Sequence, residues 1–409
     1  MTKMNSVPSL LKTSLAVMGF VSLSSNVMAG EWDFTGSVVG ETRLFPYSPA
    51  FAGQEKTTIS PSAAFEAEVV YEFNDYSDRF TFTPFVRLDA HDENRTHFDI
   101  RQASWLHLGD GWDLKAGLDY VYWGVTESRH LVNIINQDDA LEDLDGEDKL
   151  GQPMVNLNIE KDYGTFSMFV LPGFREREYL EHGHRLSGPI RIDGDRATCE
   201  ADSGNHNVDF AARWQHMIGD WEVGVSHFHG TSREARLLPM LDESELILAP
   251  HYDQIDQTAL DAQYITGATL WKFEAMTRSG QGNRFAAIVA GFEHTFYTVI
   301  NGRADLGILV EYLYDGRDQL LAPATISDND VFVGARLALN DTQDTSFLMG
   351  GTIDHDNGSS FALLEAERRI GDDWKIELEA RFFINVDEND PSFFFAQDDF
   401  INLKLSRFF

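Results

Sequence analysis

From Trp374 to Ile384 polarity changes at every residue: Trp374, Ile376, Leu378, Ala380, Phe382 and Ile384 alternate with Lys375, Glu377, Glu379 and Arg381. Successive side chains of an extended strand point to opposite faces, so the segment has one oily face and one charged face. The carboxy-terminal stretch repeats the pattern, with Ile401, Leu403, Leu405 and Phe409 on one side and Asn402, Lys404 and Ser406 on the other. A soluble sheet can also alternate, with its apolar face on a core. Repetition is what constrains the fold here. From Gly30 onward the chain divides into about 18 such segments, each near the roughly 9 to 11 residues that cross a bilayer as a tilted strand.

The earlier segments follow the same rule. Trp32, Phe34, Val38 and Leu44 alternate with Thr35, Ser37, Glu41 and Arg43, and Phe65, Ala67, Val69, Tyr71 and Phe73 with Glu66, Glu68 and Glu72. Short turns recur, as at 74–77, 109–111, 161–164, 218–220, 266–268, 340–343 and 371–373. Three of these place an aliphatic residue and Gly-Asp before a Trp: Leu108 with Trp112, Ile218 with Trp221 and Ile370 with Trp374. Gly and Asp tolerate left-handed backbone, and a Trp just inside the turn suits an interfacial aromatic girdle. Between the short turns come longer connections, at 46–61, 124–152, 173–204, 231–254 and 315–328. A secreted β-sandwich or β-solenoid does not account for that alternation of loop lengths. It is the asymmetry of a closed barrel with short periplasmic turns and long extracellular loops.

Charge and composition narrow the function. A net charge of −34 excludes nucleic acid and attraction to anionic lipid, which need a basic face. The one cysteine, Cys199, forms no intrachain disulfide. Lys3, Lys12, the apolar run 14–23 and Val27-Met28-Ala29 read as an export signal over residues 1–29, leaving 30–409 as one barrel domain. No later run approaches the roughly 20 apolar residues of a membrane helix.

The alternating closing strand with its terminal Phe resembles those of bacterial outer-membrane barrels, and the whole mature chain resembles a porin-type barrel of proteobacteria. The run Tyr122-Trp123-Gly124-Val125-Thr126-Glu127-Ser128-Arg129, continued through His130 to Asp139, is similar to a segment in a group of outer-membrane proteins, and Gly146 to Met154 extends the likeness. The resemblance implies a cell outer-membrane location and recognition of Phe409 by the barrel assembly machinery. It implies no catalytic residue.

Charges cannot face lipid cheaply, so those of the strands are expected to line a wet lumen. Arg87, Arg101, Arg213, Arg336 and Arg381, with Glu377 and Glu379, are the expected pore-lining residues; the other inward carboxylates are Glu66, Glu68, Asp209, Asp261 and Glu311. An arginine ladder facing carboxylates would set a transverse field, whereas the plainer reading is cross-strand ion pairing. The loop 124–152 is expected to enter the lumen, because Leu131-Val132-Asn133-Ile134-Ile135 needs burial. Trp123, Glu127, Arg129, Ile134 and Asp138 are its expected constriction residues. Its acidic half contains Asp143-Leu144-Asp145-Gly146, which has the start of a calcium loop without the spacing of the remaining ligands. A solvated acidic face or divalent bridging to lipopolysaccharide is the alternative. His182 with His184, and His227 with His229, offer two metal ligands but no marked third, so neither metal nor cofactor is expected.

The sequence therefore reads as an all-β, closed antiparallel transmembrane β-barrel of about 18 strands, 16 being the other even count allowed. Passive passage of a small polar or amphipathic solute is the expected function, in contact with outer-membrane lipid and lipopolysaccharide, as a monomer or homo-oligomer. The alternatives are an outer-membrane enzyme acting on lipid or peptide, for which Ser226, His227 and Asp209 would have to serve without a G-x-S-x-G motif, and a structural or adhesive barrel with a blocked lumen.

Overall fold

The computed structural model describes residues 30–300 and 302–409. The expected export signal lies outside them. The first strand, Glu31–Leu44, pairs antiparallel with Ile59–Phe73 on one side and with the last strand, Phe400–Phe408, on the other, so an 18-stranded sheet closes on itself. Closure leaves no row of unpaired backbone groups, which lipid could not satisfy. At the seam Gly36 and Phe409 exchange N–H···O bonds of 3.0 Å in both directions.

The alternation dictates which way each side chain turns. Trp32, Phe34, Phe98 and Phe210 are exposed on the outer surface, while Glu41, Arg43, Arg87 and Asn402 on the opposite faces are buried. Trp112, Trp221 and Trp374 are each the first residue of a strand, directly after turns in which Gly111, Gly219 and Gly371 have φ between 64° and 72°. Trp32 stacks on Tyr71 at 4.3 Å and Trp221 on Tyr264 at 4.6 Å, both near the short-turn rim. This is the position of an interfacial girdle.

The longest connections, 45–58, 120–151, 173–207 and 385–399, all lie on one rim, and the tightest turns, 74–77, 162–163, 219–220 and 267–268, on the other. Within the segment expected as a loop at 231–254, the strands Arg236–Asp242 and Glu245–Tyr252 form a hairpin, and Thr198–Cys199 adds to it in parallel. Alternation there continues past the barrel wall, so the chain folds into a small sheet of its own.

The interior is polar only in part. Inward side chains between Gln152 and Ala338, among them Met154, Phe169, Phe228, Met276, Val289 and Phe332, form an apolar cluster with Trp123, Leu131, Val132, Ile134 and Ile135. One half of the barrel thus has a dry core, and a long loop supplies its other side.

Candidate functional site: the folded-in loop and the cavity beside it

Residues 120–151 leave the rim after Trp112–Asp119 and return as Gln152–Lys161. Asn136 fastens the base: its amide donates to the carbonyls of Asp119 and Leu150, both at 2.9 Å, and its side-chain oxygen accepts from the N–H of Val121. Val132 and Ile135 are 0% exposed. Burying such a side chain contributes about 1.5–3 kcal/mol, so the aliphatic half of the loop is anchored by the barrel wall itself.

Two buried carboxylates hold the tip. Glu274 accepts from the N–H groups of Val125 (2.7 Å) and Thr126 (3.0 Å) and from the Thr126 hydroxyl (2.8 Å). Glu311 accepts from the N–H groups of Glu127 and Ser128 at 2.9 and 2.8 Å and from the Ser128 hydroxyl at 2.6 Å. A loop segment with its amides pointed one way makes a positive concavity, and each carboxylate fills it. Of these two, the sequence reading included Glu311 only as one wall charge among several and did not single out Glu274. A carboxylate that serves backbone amides has no characteristic spacing.

The acidic half of the loop meets the arginines. Arg87 donates to Glu142 (2.8 Å) and Glu41 (2.9 Å). Arg101 pairs with Asp139 and lies over the Phe85 ring at 4.1 Å. Arg381 bonds Asp145 at 2.7 Å and also pairs with Glu379. Arg336 reaches Glu127 at 2.6 Å, and Arg129 reaches Asp315 at 3.1 Å. Arg213 forms a two-pronged pair with Asp261 at 2.6 and 2.8 Å beneath the Trp123 ring. That pair crosses the intervening strand at Gly224, where a Cβ would lie 2.6 Å from an Asp261 oxygen.

All five arginines therefore face inward, but each holds a carboxylate rather than standing free in a ladder. Glu377 bonds Lys375 at 2.8 Å, Ile134 is in the dry core, and Asp138 pairs with Lys149 and Arg177. Arg43 and Arg95, which the sequence reading did not single out as site residues, join the network through Glu41 at 3.4 and 2.8 Å, and Arg95 donates to the Leu141 carbonyl. Burial alone would raise Glu142, but the guanidinium groups of Arg87, Arg101 and Arg95 together outweigh it and hold the carboxyl below its usual range.

In the Asp143-Leu144-Asp145-Gly146 segment, guanidinium groups take the carboxylates: Asp143 lies 3.8 Å from Arg43 and 3.7 Å from Arg381. His184 is buried in a loop, and His227 and His229 are exposed beside Asp256 at 3.7 and 3.4 Å. His97, Asp139 and Glu142 also lie close together, with the two carboxylates already engaged by Arg101 and Arg87.

The loop packs against one side of the lumen and leaves a cavity of about 780 Å³ on the other. Loop residues Glu127, Arg129, His130 and Asp145 form one wall; Phe332, Leu348, Phe361 and Phe383 on the strands Asn329–Ala338, Ser346–Asp354, Ser360–Ile370 and Trp374–Ile384 form the other. Asp390, Ser392 and Phe395 lie at its long-loop end. A closed wall that is apolar outside, with charge and a side cavity inside, is the arrangement of a bilayer-spanning barrel.

The chain has the fold of an outer-membrane β-barrel. No family model matches it and no curated protein matches it. Among solved structures, Wzi of Escherichia coli, described as an outer-membrane protein involved in group 1 capsule assembly and a carbohydrate-binding β-barrel, aligns with a TM-score of 0.53 at 10% identity, over 91% of this chain and 84% of Wzi. OpdQ of Pseudomonas aeruginosa aligns with a TM-score of 0.50 at 10% identity, over 93% and 97% of the two chains. At that identity the likeness of this barrel to them is one of fold.

Proposed function

We propose that this porin-like barrel passes a small polar or amphipathic solute by diffusion, with Glu127, Arg129, Ile134, Asp138 and Trp123 belonging to a constriction that narrows the lumen to the cavity beside it. The observation that carries this reading is the cavity between loop and wall, which runs from Asp390 at the long-loop rim to Glu127, whose partner Arg336 lies near the short-turn end of its strand. Arg381 and Glu379 face the loop along the same wall, and Arg87, Arg101 and Arg213 act by pinning it. Single-channel recording tests the proposal: purified barrel in a planar bilayer should give stepwise conductance, and a silent membrane with correctly inserted protein would sink it. A second reading, a blocked lumen with a binding cavity open to the outside, is favoured by the density of buried ion pairs on the loop, and the silent membrane is the result it requires. Release of Phe409 from the seam should impair assembly, as recognition of the last strand by the assembly machinery requires.

A further inference from the structure

The solute class is written in the charge balance of the cavity. Each cationic side chain lining it already has a carboxylate: Arg129 with Asp315, Arg233 with Asp209 at 2.8 Å, Arg278 with Glu234 at 2.5 Å, Arg381 with Asp145, Lys149 with Asp138, and His130 with Glu147 at 3.0 Å. The lining carboxylates Asp330, Asp354, Glu365 and Asp390 have no lysine, arginine or histidine within ion-pair distance among the described residues. The uncompensated charge of the cavity is negative.

Strand register arranges that charge in layers. Asp330 is opposite Asp354, Phe332 opposite Thr352, and Phe361 opposite both Thr352 and Phe383. Below them Leu348 is opposite Glu365. Every second residue faces the lumen, so an acidic rim is followed inward by an aromatic row, then by Leu363 opposite the ion-paired Arg381, and then by Glu365 opposite Glu379. The rings form one surface: Phe361 and Phe383 are 5.5 Å apart, and Phe383 and Phe395 5.7 Å. Phe332 lies over Gly350, where a Cβ would come within 2.6 Å of the ring tip, so the glycine lets the ring lie close to the wall.

Resting on the reading of this cavity as the solute path, we infer that its ligand is an organic cation with an apolar body, an amine or quaternary ammonium carrying an aromatic or aliphatic group. Ring faces attract cations as well as apolar surface, and a carboxylate below them fixes the charged end. An anionic solute would meet four carboxylates that have no direct ion pair. A neutral sugar would leave Glu365 without a partner of opposite charge.

The probe is phenethylammonium, with phenylacetate as its charge-reversed counterpart, titrated calorimetrically into the detergent-solubilised full barrel, alongside bilayer recording. Phenethylammonium should bind at least about tenfold more tightly than phenylacetate, Glu365→Gln should weaken it about tenfold, and Phe383→Leu should weaken it several-fold. Equal binding of the two probes, no binding of phenethylammonium, or unchanged affinity in a folded Glu365→Gln barrel would overturn the inference. Conductance without ammonium binding refutes the ligand class and leaves the passage; ammonium binding without conductance supports the ligand class and refutes the passage.

Discussion

The Ser128 hydroxyl donates to Glu311 at 2.6 Å, joining the loop tip to the far wall of the barrel. With the Ser128 N–H at 2.8 Å and the Glu127 N–H at 2.9 Å, one carboxylate receives three donors from two consecutive residues. Hydrogen bonds to a charged group contribute about 1.5–3 kcal/mol each where both partners are desolvated.

Glu311→Ala should therefore detach the tip, with the aliphatic half still seated by its buried side chains. Expected are a rise in single-channel conductance of about twofold or more and faster proteolysis near Ser128, with the melting temperature of the barrel little changed, because the strands keep their ladders. Glu274→Ala should act in the same direction and more strongly, since Val125, Thr126 and Val132 all donate to it. Unchanged conductance and unchanged cleavage in both variants would show that the tip is held by packing alone.

The loop should also tighten in mild acid. Burial alone would lower the pKa of His130, but its hydrogen bond to Glu147 and the charges of Glu147 and Glu274 together outweigh this and raise it above the ordinary value. Such a group stabilises the loop fully below its unfolded pKa, about 6.5, and loses that contribution as pH rises through its folded value. Asp148 is pushed up to about 7 by its enclosure, with the charges of Glu142 and Asp145 adding. An acid raised in this way keeps a proton that the free carboxyl loses, so its penalty on the folded loop is absent below the free value of 3.8, grows as pH rises and is complete above about 7. The two effects overlap near neutral pH, and lumen water mutes the second. Protection against hydrogen exchange across residues 124–148, measured relative to the intrinsic base-catalysed rate at each pH, should be higher at about pH 6 than at about pH 8, and His130→Gln should reduce the difference. Lower protection at the lower pH would contradict both signs.

How much of this could be read from the chain follows from what lipid demands. Hydrocarbon imposes every-other-residue polarity on strands, so Trp374–Ile384 announces itself and the strand count follows by repetition. The terminal Phe409 and the Gly-Asp-Trp turns were legible for the same reason: one interface acts on them all. The dry half of the lumen was not. In Phe285–Phe296, Val289 faces the core and Ile288 the lipid, so both parities are apolar and the alternation disappears into a run. The sequence shows that Leu131 to Ile135 must be buried, but not that a wall lies ready to receive them. Long-range partners were invisible too: Arg95 and Leu141 are 46 residues apart, and Arg129 and Ser327 198 apart. Connections such as 280–284 and 355–359 are too short to differ from hairpin turns on the other rim.

A third expectation concerns the extracellular loops. Arg185 is buried and donates to Asp398 at 2.7 Å, to the carbonyls of Tyr47 and Thr57 at 3.0 and 3.2 Å, and to that of Gln397 at 3.1 Å, while lying over the Phe45 ring at 4.6 Å. Gln54 also donates to Asp398, at 3.0 Å. One guanidinium thus joins segments 45–58, 173–207 and 385–399. Its planar set of donors serves four acceptors that a lysine could not reach together. Breaking a buried pair by removing one partner costs about 3–5 kcal/mol locally, because the other charge is stranded. Arg185→Ala should make all three segments protease-sensitive at once, and Arg185→Lys should rescue little. Sensitivity confined to 173–207 would show that the three segments are held independently.

The seam carries the last expectation. Gly36 sits beneath the terminal ring, where an added Cβ would lie 2.7 Å from Phe409 Cζ and 3.0 Å from the Glu66 carbonyl oxygen. Real side chains do not tolerate the first distance, so the ring must swing away. Swinging it removes its stack on Phe65, at 6.3 Å, and strains the paired bonds between Gly36 and Phe409. Gly36→Val should therefore open the barrel at its closing strand and lower the unfolding midpoint in urea by an amount equivalent to about 1–3 kcal/mol. Phe409→Ala in the Gly36→Val background removes the clash with the ring and leaves only the contact with the Glu66 carbonyl, so the double variant should lose less than the sum of the two single losses. If instead the two losses add, the steric coupling between these residues is absent and the barrel closes without help from its last ring.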